Sequence, residues 1–239
     1  MLQYTWSMQQ LQNLANDLLQ LLFPNLCAGC EQPLVKTEQL LCLHCRHDLP
    51  YTDFHLYADN PVARQLWGRI PCAFAMAMLY FNKGTRVQRI LHQLKYKGKP
   101  ELGELLGGLL AARLREQVST LKADLIIPVP LHKKRQRQRG YNQSACIAEG
   151  LGKALGLPVY KDVLLKTKST SSQTKKSRFG RYENLKSAFS VQKAEAIAGK
   201  HVLLIDDVVT TGATLEACAS VLSAAGMARL SVAAVAFTK

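Results

Sequence analysis

Four cysteines near the start of the chain have the spacing of a metal site. They form two Cys-x-x-Cys pairs separated by eleven residues, Cys27/Cys30 and Cys42/Cys45. Each pair can turn two thiolates toward one point, and two pairs complete the tetrahedron that Zn²⁺ prefers. We therefore predict one zinc ion with a structural role, because four thiolates leave no coordination position open for catalysis. Free thiols or two disulfides are the alternatives, and the nearby His44 and His47 are expected to be bystanders or to contact the ligands.

A second candidate site follows an apolar run late in the chain. Val202–Ile205 precedes Asp206 and Asp207, and residues 210–214 then read Thr-Thr-Gly-Ala-Thr. If the apolar run is a buried strand, both acids lie just past its carboxyl end, where open α/β sheets bind ligands. The following turn can surround a phosphate with hydroxyl groups and with the N–H groups that begin a helix. Two carboxylates are well suited to holding ribose hydroxyl groups.

The simpler alternative for this segment is a solvated acidic turn in which one threonine caps a helix. One acid or one threonine would suffice for that role, whereas the segment has two acids and three threonines around a glycine. A Walker P-loop is excluded, because no Gly-Lys-Ser/Thr sequence occurs there. We therefore predict a phosphate-and-ribose site at residues 206–214.

The elements that must position these residues alternate along the chain. Continuous apolar segments predict strands at residues 73–81, 123–129, 159–165, 201–205 and 231–237. Helical patterns predict helices at residues 101–118, 142–155 and 213–225. This alternation is typical of a parallel sheet covered on both faces. Before the sheet we predict a leucine-rich helix within residues 1–23, the cysteine-rich segment 24–50 and a connector at 51–72.

The composition excludes several classes of protein. Hydrophobic residues make up 48% of the 239 residues, which is enough for a packed core. No apolar run approaches the roughly 20 residues needed to cross a bilayer, and residues 1–23 lack the Lys and Arg that begin a signal peptide. We therefore expect no membrane insertion and a cytoplasmic, reducing location without a disulfide framework. The net charge of +14 indicates anionic partners such as phosphorylated ligands or nucleic acid.

Residues 202–214 resemble the 5-phosphoribosyl-1-pyrophosphate (PRPP) signature of type I phosphoribosyltransferases. Further motifs extend the resemblance, over nearly the whole chain, to the ComF/GntX family of competence-associated proteins. These motifs are Leu22-Phe23-Pro24, Pro128-Val129-Pro130-Leu131-His132 followed by Arg135, Arg137 and Arg139-Gly140-Tyr141-Asn142-Gln143, and Thr170-x-x-Gln173 followed by Arg181, Asn184 and Ala188-Phe189. The resemblance implies an α/β, type I phosphoribosyltransferase-like domain over residues 73–239, with a parallel sheet flanked by helices, after a small N-terminal zinc module.

The resemblance also implies roles for individual residues. It implies Mg²⁺-dependent transfer of a phosphoribosyl group from PRPP, with catalytic contributions from Asp206, Asp207, Arg139 and Arg181. The residues expected to bind PRPP are Asp206, Asp207, Thr210, Thr211, Gly212, Ala213, Thr214, Arg135 and Arg139. The basic segment 133–139 is expected to be the pyrophosphate-binding loop, and residues 166–186 the flexible loop that closes over the site.

Three functions remain open on the sequence alone. The first is a phosphoribosyltransferase with an unidentified acceptor, acting in DNA uptake during natural transformation. The second is a PRPP or nucleotide sensor without turnover, and the third is an adaptor that binds single-stranded DNA or a competence protein such as a DNA helicase. Residues 131–186 carry fourteen Lys and Arg against three acids, which makes them the candidate nucleic-acid surface.

Two smaller expectations concern the surroundings of the site. Within the basic segment, the residues expected at the exposed loop surface or at nucleic acid are Lys166, Lys168, Lys175 and Lys176. The candidate hood over the acceptor is residues 73–100, with Tyr80, Phe81 and Tyr96. No general base stands out by spacing, and His132 is expected to position a loop.

Overall fold

The computed structural model describes Met8 and residues 23–115, 121–168 and 187–238. The chain divides into a small unit that ends at Leu49 and a larger unit that begins at Pro50. The helix predicted within residues 1–23 lies outside the described residues except for Met8 and Phe23, so it stays a prediction.

The small unit is made of tight turns around its cysteines. Leu26 pairs with Pro33 in an antiparallel bridge, which turns the chain back next to the first cysteine pair. Helix α1 (Leu43–His47) begins directly after Cys42, whose sulfur accepts a hydrogen bond from the N–H of Cys45. The backbone, rather than a large apolar core, therefore sets the positions of the cysteines.

The larger unit contains six strands within the described residues. They are β1 (Cys72–Phe81), β2 (Leu125–Pro128), β3 (Leu164–Lys166), β4 (Phe189–Val191), β5 (His201–Val209) and β6 (Arg229–Thr238). Four of them form a sheet in the order β1–β6–β5–β2, in which every neighbouring pair is parallel. Strands β3 and β4 form a separate antiparallel pair.

The two central strands are buried along almost their full length. Every residue of β5 except Val208 is buried, and so is every residue from Leu230 to Phe237 in β6. Because successive residues of a strand point to opposite faces, this pattern requires cover on both faces of the sheet. The parallel sheet flanked by helices that the sequence predicts is confirmed.

The larger unit also has six α-helices within the described residues. They are α2 (Pro61–Leu66), α3 (Arg86–Tyr96), α4 (Pro100–Arg115), α5 (Lys133–Arg139), α6 (Gln143–Leu155) and α7 (Ala213–Ala224), and a 3₁₀ turn covers Ala194–Ala196. None of the helices in the described part of the chain has both the length and the apolar character needed to cross a membrane.

Helices α4 and α6 pack with their backbones nearly in contact. A Cβ atom on Gly107 would lie 2.1 Å from the carbonyl oxygen of Ile147, and one on Gly150 would lie 2.1 Å from that of Glu104. Both positions therefore require glycine, since no side chain fits between the helices. This close packing matters for the site because α6 begins beside the carboxyl end of β5.

Three local expectations differ from the structure. The strand predicted at 201–205 continues to Val209, because β6 remains paired with it as far as Phe237. The basic segment 133–139 is helix α5 rather than a loop, with His132 capping its start and Gly140 ending it in a left-handed conformation. Of the strand predicted at 159–165, only Val159 bridges to the main sheet, and the chain turns before β3.

Candidate functional site

The acid pair lies where β5 is no longer paired with one of its two neighbouring strands. Strand β2 accompanies β5 only as far as the pairing of Pro128 with Ile205, whereas β6 continues to Val209. Asp206 and Asp207 therefore lie inside β5, but beyond the end of β2 on one side. This step between unequal strands forms a crevice at the carboxyl end of the sheet, the usual ligand position in such folds.

Asp206 is buried and held in a fixed orientation. Its Oδ1 atom accepts hydrogen bonds from the hydroxyl of Ser144 at 3.1 Å and from the N–H of Asp207 at 2.8 Å. Burial, reinforced by the neighbouring charge of Asp207, raises the pKa of Asp206 to about 7. Two full negative charges at this point therefore need compensation from a cation or a ligand.

Asp207 receives that compensation in part from Lys95, near the end of α3. The Lys95 ammonium lies 2.7 Å from Oδ2 of Asp207. This ion pair is the partner of buried Oδ2, which receives no further hydrogen bond from the described residues. A ligand that displaced Lys95 would therefore have to donate to this oxygen in its place, because a buried carboxylate oxygen left without a partner is costly.

The threonine turn after β5 opens helix α7 toward solvent. Gly212 precedes the helix in a left-handed conformation with φ of 72°, and it has no side chain to cap the first turn. The N–H of Ala213 reaches the hydroxyl of Thr211 only at 3.4 Å, and Thr210 and Thr211 are exposed. The start of this twelve-residue helix thus presents N–H groups and hydroxyls together, a suitable arrangement for an anion.

The turn is held in place by α2 and the residues that follow it. The side-chain amide of Gln65 donates to the carbonyl oxygen of Thr210, and Arg69 donates to that of Thr211 at 2.8 Å. Arg69 also forms an ion pair with Glu216 in the first turn of α7. Residues 51–72, predicted only as a connector, therefore contribute directly to the shape of the turn.

A cationic cleft lies beside the acid pair. It has a volume of about 400 Å³ and is lined by Lys95, Tyr96, Gly98, Arg135, Gln138 and Arg139. Arg139 donates to Gln143 at 2.8 Å, and its guanidinium lies 5.0 Å from the centre of the Tyr96 ring. The structure thus brings both predicted arginines together with Lys95 in a site suited to an anion with more than one charge.

Lys166 differs from what the sequence predicts. It lies in β3, partly buried, with its ammonium 5.0 Å from the centre of the Phe189 ring. Burial lowers its pKa, and the charge of Arg135 acts in the same direction. Lys166 also lines a larger cavity of about 590 Å³ with residues from α5, α6 and β3. Lys166 is therefore a half-buried strand residue that lines a cavity, rather than part of an exposed loop surface.

Several predicted residues lie outside the described part of the chain. They are Thr170, Gln173, Lys175, Lys176, Arg181 and Asn184. The predicted closing loop is described only at Lys166–Lys168, and the catalytic role of Arg181 stays a prediction. The sequence does not indicate Lys95, Ser144, Gln65 or Arg69, because each is a single polar residue whose partner is distant in sequence.

The four cysteines form one compact cluster in the small unit. Their sulfur atoms all lie within 4.8 Å of one another, and those of Cys30 and Cys42 are 3.7 Å apart. A tetrahedral zinc ion with bonds of about 2.3 Å separates its sulfur ligands by about 3.8 Å. His44 and His47 instead contact Asp48. The cluster therefore fits a zinc site formed by cysteines alone.

Ionisation of the cluster depends on its hydrogen bonds. Burial alone would raise the pKa of Cys27, but N–H donors outweigh it and lower the pKa to about 6. Two of these donors are the N–H groups of Gly29 and Cys42, at 3.4 and 3.3 Å from the sulfur. Burial raises the pKa of Cys45, as do the neighbouring sulfur atoms. A dication at the centre would favour the ionised form of every thiol.

Comparison with known proteins agrees with this architecture. Residues 144–239 match the phosphoribosyl transferase domain family. The DNA utilization protein YhgH of Escherichia coli O157:H7 is 30% identical over 226 residues, which cover 87% of this chain and 95% of that protein. Competence protein F of Haemophilus influenzae is 30% identical over 219 residues, covering 87% of this chain and 88% of that protein.

A solved structure overlaps more loosely. The glutamine PRPP amidotransferase of B. subtilis, complexed with ADP and GMP, is 21% identical, with a TM-score of 0.42, over 60% of this chain and 30% of that chain. An overlap of this size does not indicate the activity of this chain. Each of the two curated relatives aligns with 87% of this chain, and the resemblance noted in the sequence is confirmed. The chain belongs to the ComF family and carries a phosphoribosyl transferase domain.

Proposed function

We propose that the protein binds PRPP at the acid pair and transfers its phosphoribosyl group to an acceptor. One observation carries this proposal most strongly. The two buried acids share a crevice with an open helix start and a cationic cleft. PRPP has three parts of matching chemistry: ribose hydroxyls, a 5-phosphate and a diphosphate.

Each part of PRPP is assigned to the group that complements it. The hydroxyls of the ribose donate to the buried carboxylates of Asp206 and Asp207. The 5-phosphate binds at Thr210–Thr214, where N–H groups and the positive end of the α7 dipole meet it. The diphosphate faces Arg135 and Arg139 in the cleft.

Transfer breaks the bond between the anomeric carbon and the diphosphate oxygen, which leaves with the bonding electrons. Positive charge builds on the ribose ring while negative charge builds on the diphosphate. Preorganised cations at the leaving group stabilise this charge, and Arg139 and Arg181 are the proposed sources. The carboxylates orient the ring and stabilise its positive charge, and the acceptor then forms the new bond to the anomeric carbon.

Magnesium is proposed to enter together with PRPP. Carboxylate and phosphate oxygens are the ligands that Mg²⁺ prefers, and the acid pair supplies carboxylates next to the proposed diphosphate position. When bound, the ion neutralises charge on the leaving diphosphate. Asp206 and Asp207 are the residues of this chain that would hold it.

The test is calorimetric titration of the full chain with PRPP and Mg²⁺. The parent should bind, and the double variant Asp206→Asn with Asp207→Asn should bind at least a hundredfold more weakly, from the loss of two charge-assisted interactions. Asp53→Asn, at an exposed position, is the control and should bind as the parent does. Equal affinity of the double variant and the parent would refute the proposal.

Release of pyrophosphate separates transfer from sensing. With candidate acceptors present, release that depends on the acceptor supports a phosphoribosyltransferase. Tight binding without release under any condition supports the sensor. The protein is then a PRPP-binding regulator that uses the same residues.

We also propose a role in DNA uptake, supported by the names of the two relatives and by the charge of α5. No residue of this helix is buried, and Lys133, Lys134 and Arg137 are exposed. Such a surface suits the phosphates of single-stranded DNA, and a DNA helicase is a proposed protein partner. Replacing Lys133 and Lys134 by alanine should make the salt dependence of DNA binding shallower by roughly 1–1.5 in log–log slope. The control, Lys83→Ala with Lys200→Ala, should leave the slope unchanged, and an equal change in both would place the contact elsewhere.

For the small unit we propose a structural zinc ion held by Cys27, Cys30, Cys42 and Cys45. The sulfur spacing and the N–H donors to sulfur support it. Reduced thiols of this kind are stable in a reducing compartment, so we propose a cytoplasmic location.

A further inference from the structure

Lys95 occupies a position between two parts of the site. Its ammonium lies 2.7 Å from Asp207, and its side chain also lines the cationic cleft with Arg135 and Arg139. It is 24% exposed, so it is reachable from the cleft although Asp207 is buried. A single side chain therefore links the acid pair to the proposed diphosphate position.

The charges around the cleft are unbalanced. The described residues that line it include three cations and no acid. Arg139 is fixed by Gln143 and by its stacking on Tyr96, so it cannot move away from the other cations without losing these contacts. The acid in contact with Lys95 is Asp207, which belongs to the neighbouring crevice. An anion in the cleft would relieve the repulsion among the three cations.

The contact between Lys95 and Asp207 has the character of an exchangeable pair. It is an ion pair formed by a partly exposed lysine, and buried Oδ2 receives no further hydrogen bond from the described residues. Lysine has a flexible stem and three rotatable donors, so its ammonium can be redirected at low cost. A ligand hydroxyl could take its place at Asp207, provided that the ammonium gains another anionic partner.

We propose that Lys95 changes its ionic partner when ligand binds. Without ligand it neutralises Asp207, and with ligand it contacts the diphosphate. This inference rests on the proposed binding of PRPP and adds how ligands are distinguished. The exchange couples the two halves of the site, because Asp207 becomes available to the ribose when a diphosphate draws Lys95 away. The site would thus favour ribose ligands that carry a diphosphate over those that carry only a 5-phosphate.

Three ligands test the exchange by calorimetry with Mg²⁺: PRPP, inorganic diphosphate and ribose 5-phosphate. In Lys95→Met the affinities for PRPP and diphosphate should fall at least tenfold, while that for ribose 5-phosphate changes less than threefold. The matched control is Lys97→Met, which removes the same charge at an exposed position two residues away and should change none of the three. Lys95→Gln serves as a second neutral variant if the first melts at a lower temperature than the parent.

The opposite pattern would overturn the inference. If Lys95 only supports Asp207, the two ribose ligands lose affinity and inorganic diphosphate does not. An equal loss for all three ligands, or none, also contradicts it. If the parent binds diphosphate through Lys95 but binds neither PRPP nor ribose 5-phosphate, the anion contact stands and the proposed function fails.

Discussion

The cysteine cluster and the acid-pair site both crowd ionisable groups, but they satisfy them differently. In the cluster, backbone N–H groups point at sulfur and four ligands converge on one centre, which leaves no open position. At the acid pair, buried Asp207 is in contact with the partly exposed Lys95, and an open cleft adjoins the pair. The closed arrangement suits a permanent ion that stabilises the fold, and the open one suits a ligand that comes and goes.

The largest effect should come from removing the metal. Cys45→Ser should abolish zinc binding and unfold the small unit, because structural zinc contributes on the order of 10 kcal/mol to such modules. PRPP binding by the larger unit should persist, since Pro50–Lys239 has its own buried core. Elemental analysis and PRPP titration of the same sample check this. Cys72→Ser is the control, since Cys72 lies outside the cluster, and it should retain one zinc ion per chain.

The next effect is the cost of holding Asp206 in a buried position. Its pKa in the folded protein, about 7, exceeds the unfolded value of about 3.9. The folded state therefore binds the proton more tightly, and stability falls as the pH rises from about 4 to 7. Asp206→Asn should remove this dependence and make the protein more stable than the parent at pH 8, by roughly 2–4 kcal/mol. Denaturant unfolding at pH 5 and pH 8 measures the difference, and a parent without this pH trend would contradict it.

A smaller effect concerns the glycine of the threonine turn. A Cβ atom at Gly212 would lie 2.8 Å from Cδ2 of buried Leu66, and φ of 72° already disfavours other residues. Gly212→Ala should cost roughly 1–3 kcal/mol and weaken PRPP binding as the turn shifts. Gly226→Ala is the matched control, because it also has a positive φ but open space at its Cβ. It should lower the melting temperature without changing PRPP affinity.

The smallest effect is expected at a closed polar site at the other end of β5. The ring of buried His201 lies 3.1 Å from the carbonyl oxygen of Lys122 and 2.9 Å from the hydroxyl of Ser231. Burial lowers the pKa of His201, so its stabilising contribution is complete above about pH 6.5 and declines as the pH falls. His201→Gln should reduce this loss of stability at low pH. The trend is opposite to that of Asp206, so unfolding curves of both variants separate the two.

The sequence predicts those features that depend on continuous local patterns. The apolar runs of β5 and β6 indicate buried strands, and the acids after Ile205 and the turn at Gly212 follow from position alone. The two Cys-x-x-Cys pairs likewise indicate a cluster without knowledge of the fold. In each case the residues that act together are neighbours in sequence.

The remaining features depend on tertiary packing. Lys95 and Ser144 reach the acid pair only because α3 ends and α6 begins beside β5. Nothing near either residue in the sequence indicates this. Helix α5 is a different case. Its Lys, Arg and Gln residues favour helices, and Gly140 is a common way to end one. The resemblance predicts a loop there, whereas these local signals favour the helix that the structure shows.

The hydrogen bonds that hold the threonine turn in place also constrain the order in which the protein can fold. Gln65 and Arg69 bond to residues about 140 positions later in the chain, with separations of 145 and 142. Such contacts form slowly, because a long loop must close before they contribute any energy. During synthesis, the side chains of residues 65 and 69 lack their partners in the threonine turn until β5 and the start of α7 have been made. The ability to bind ligand should therefore appear late in folding, at the same time as the central strands form and not after them.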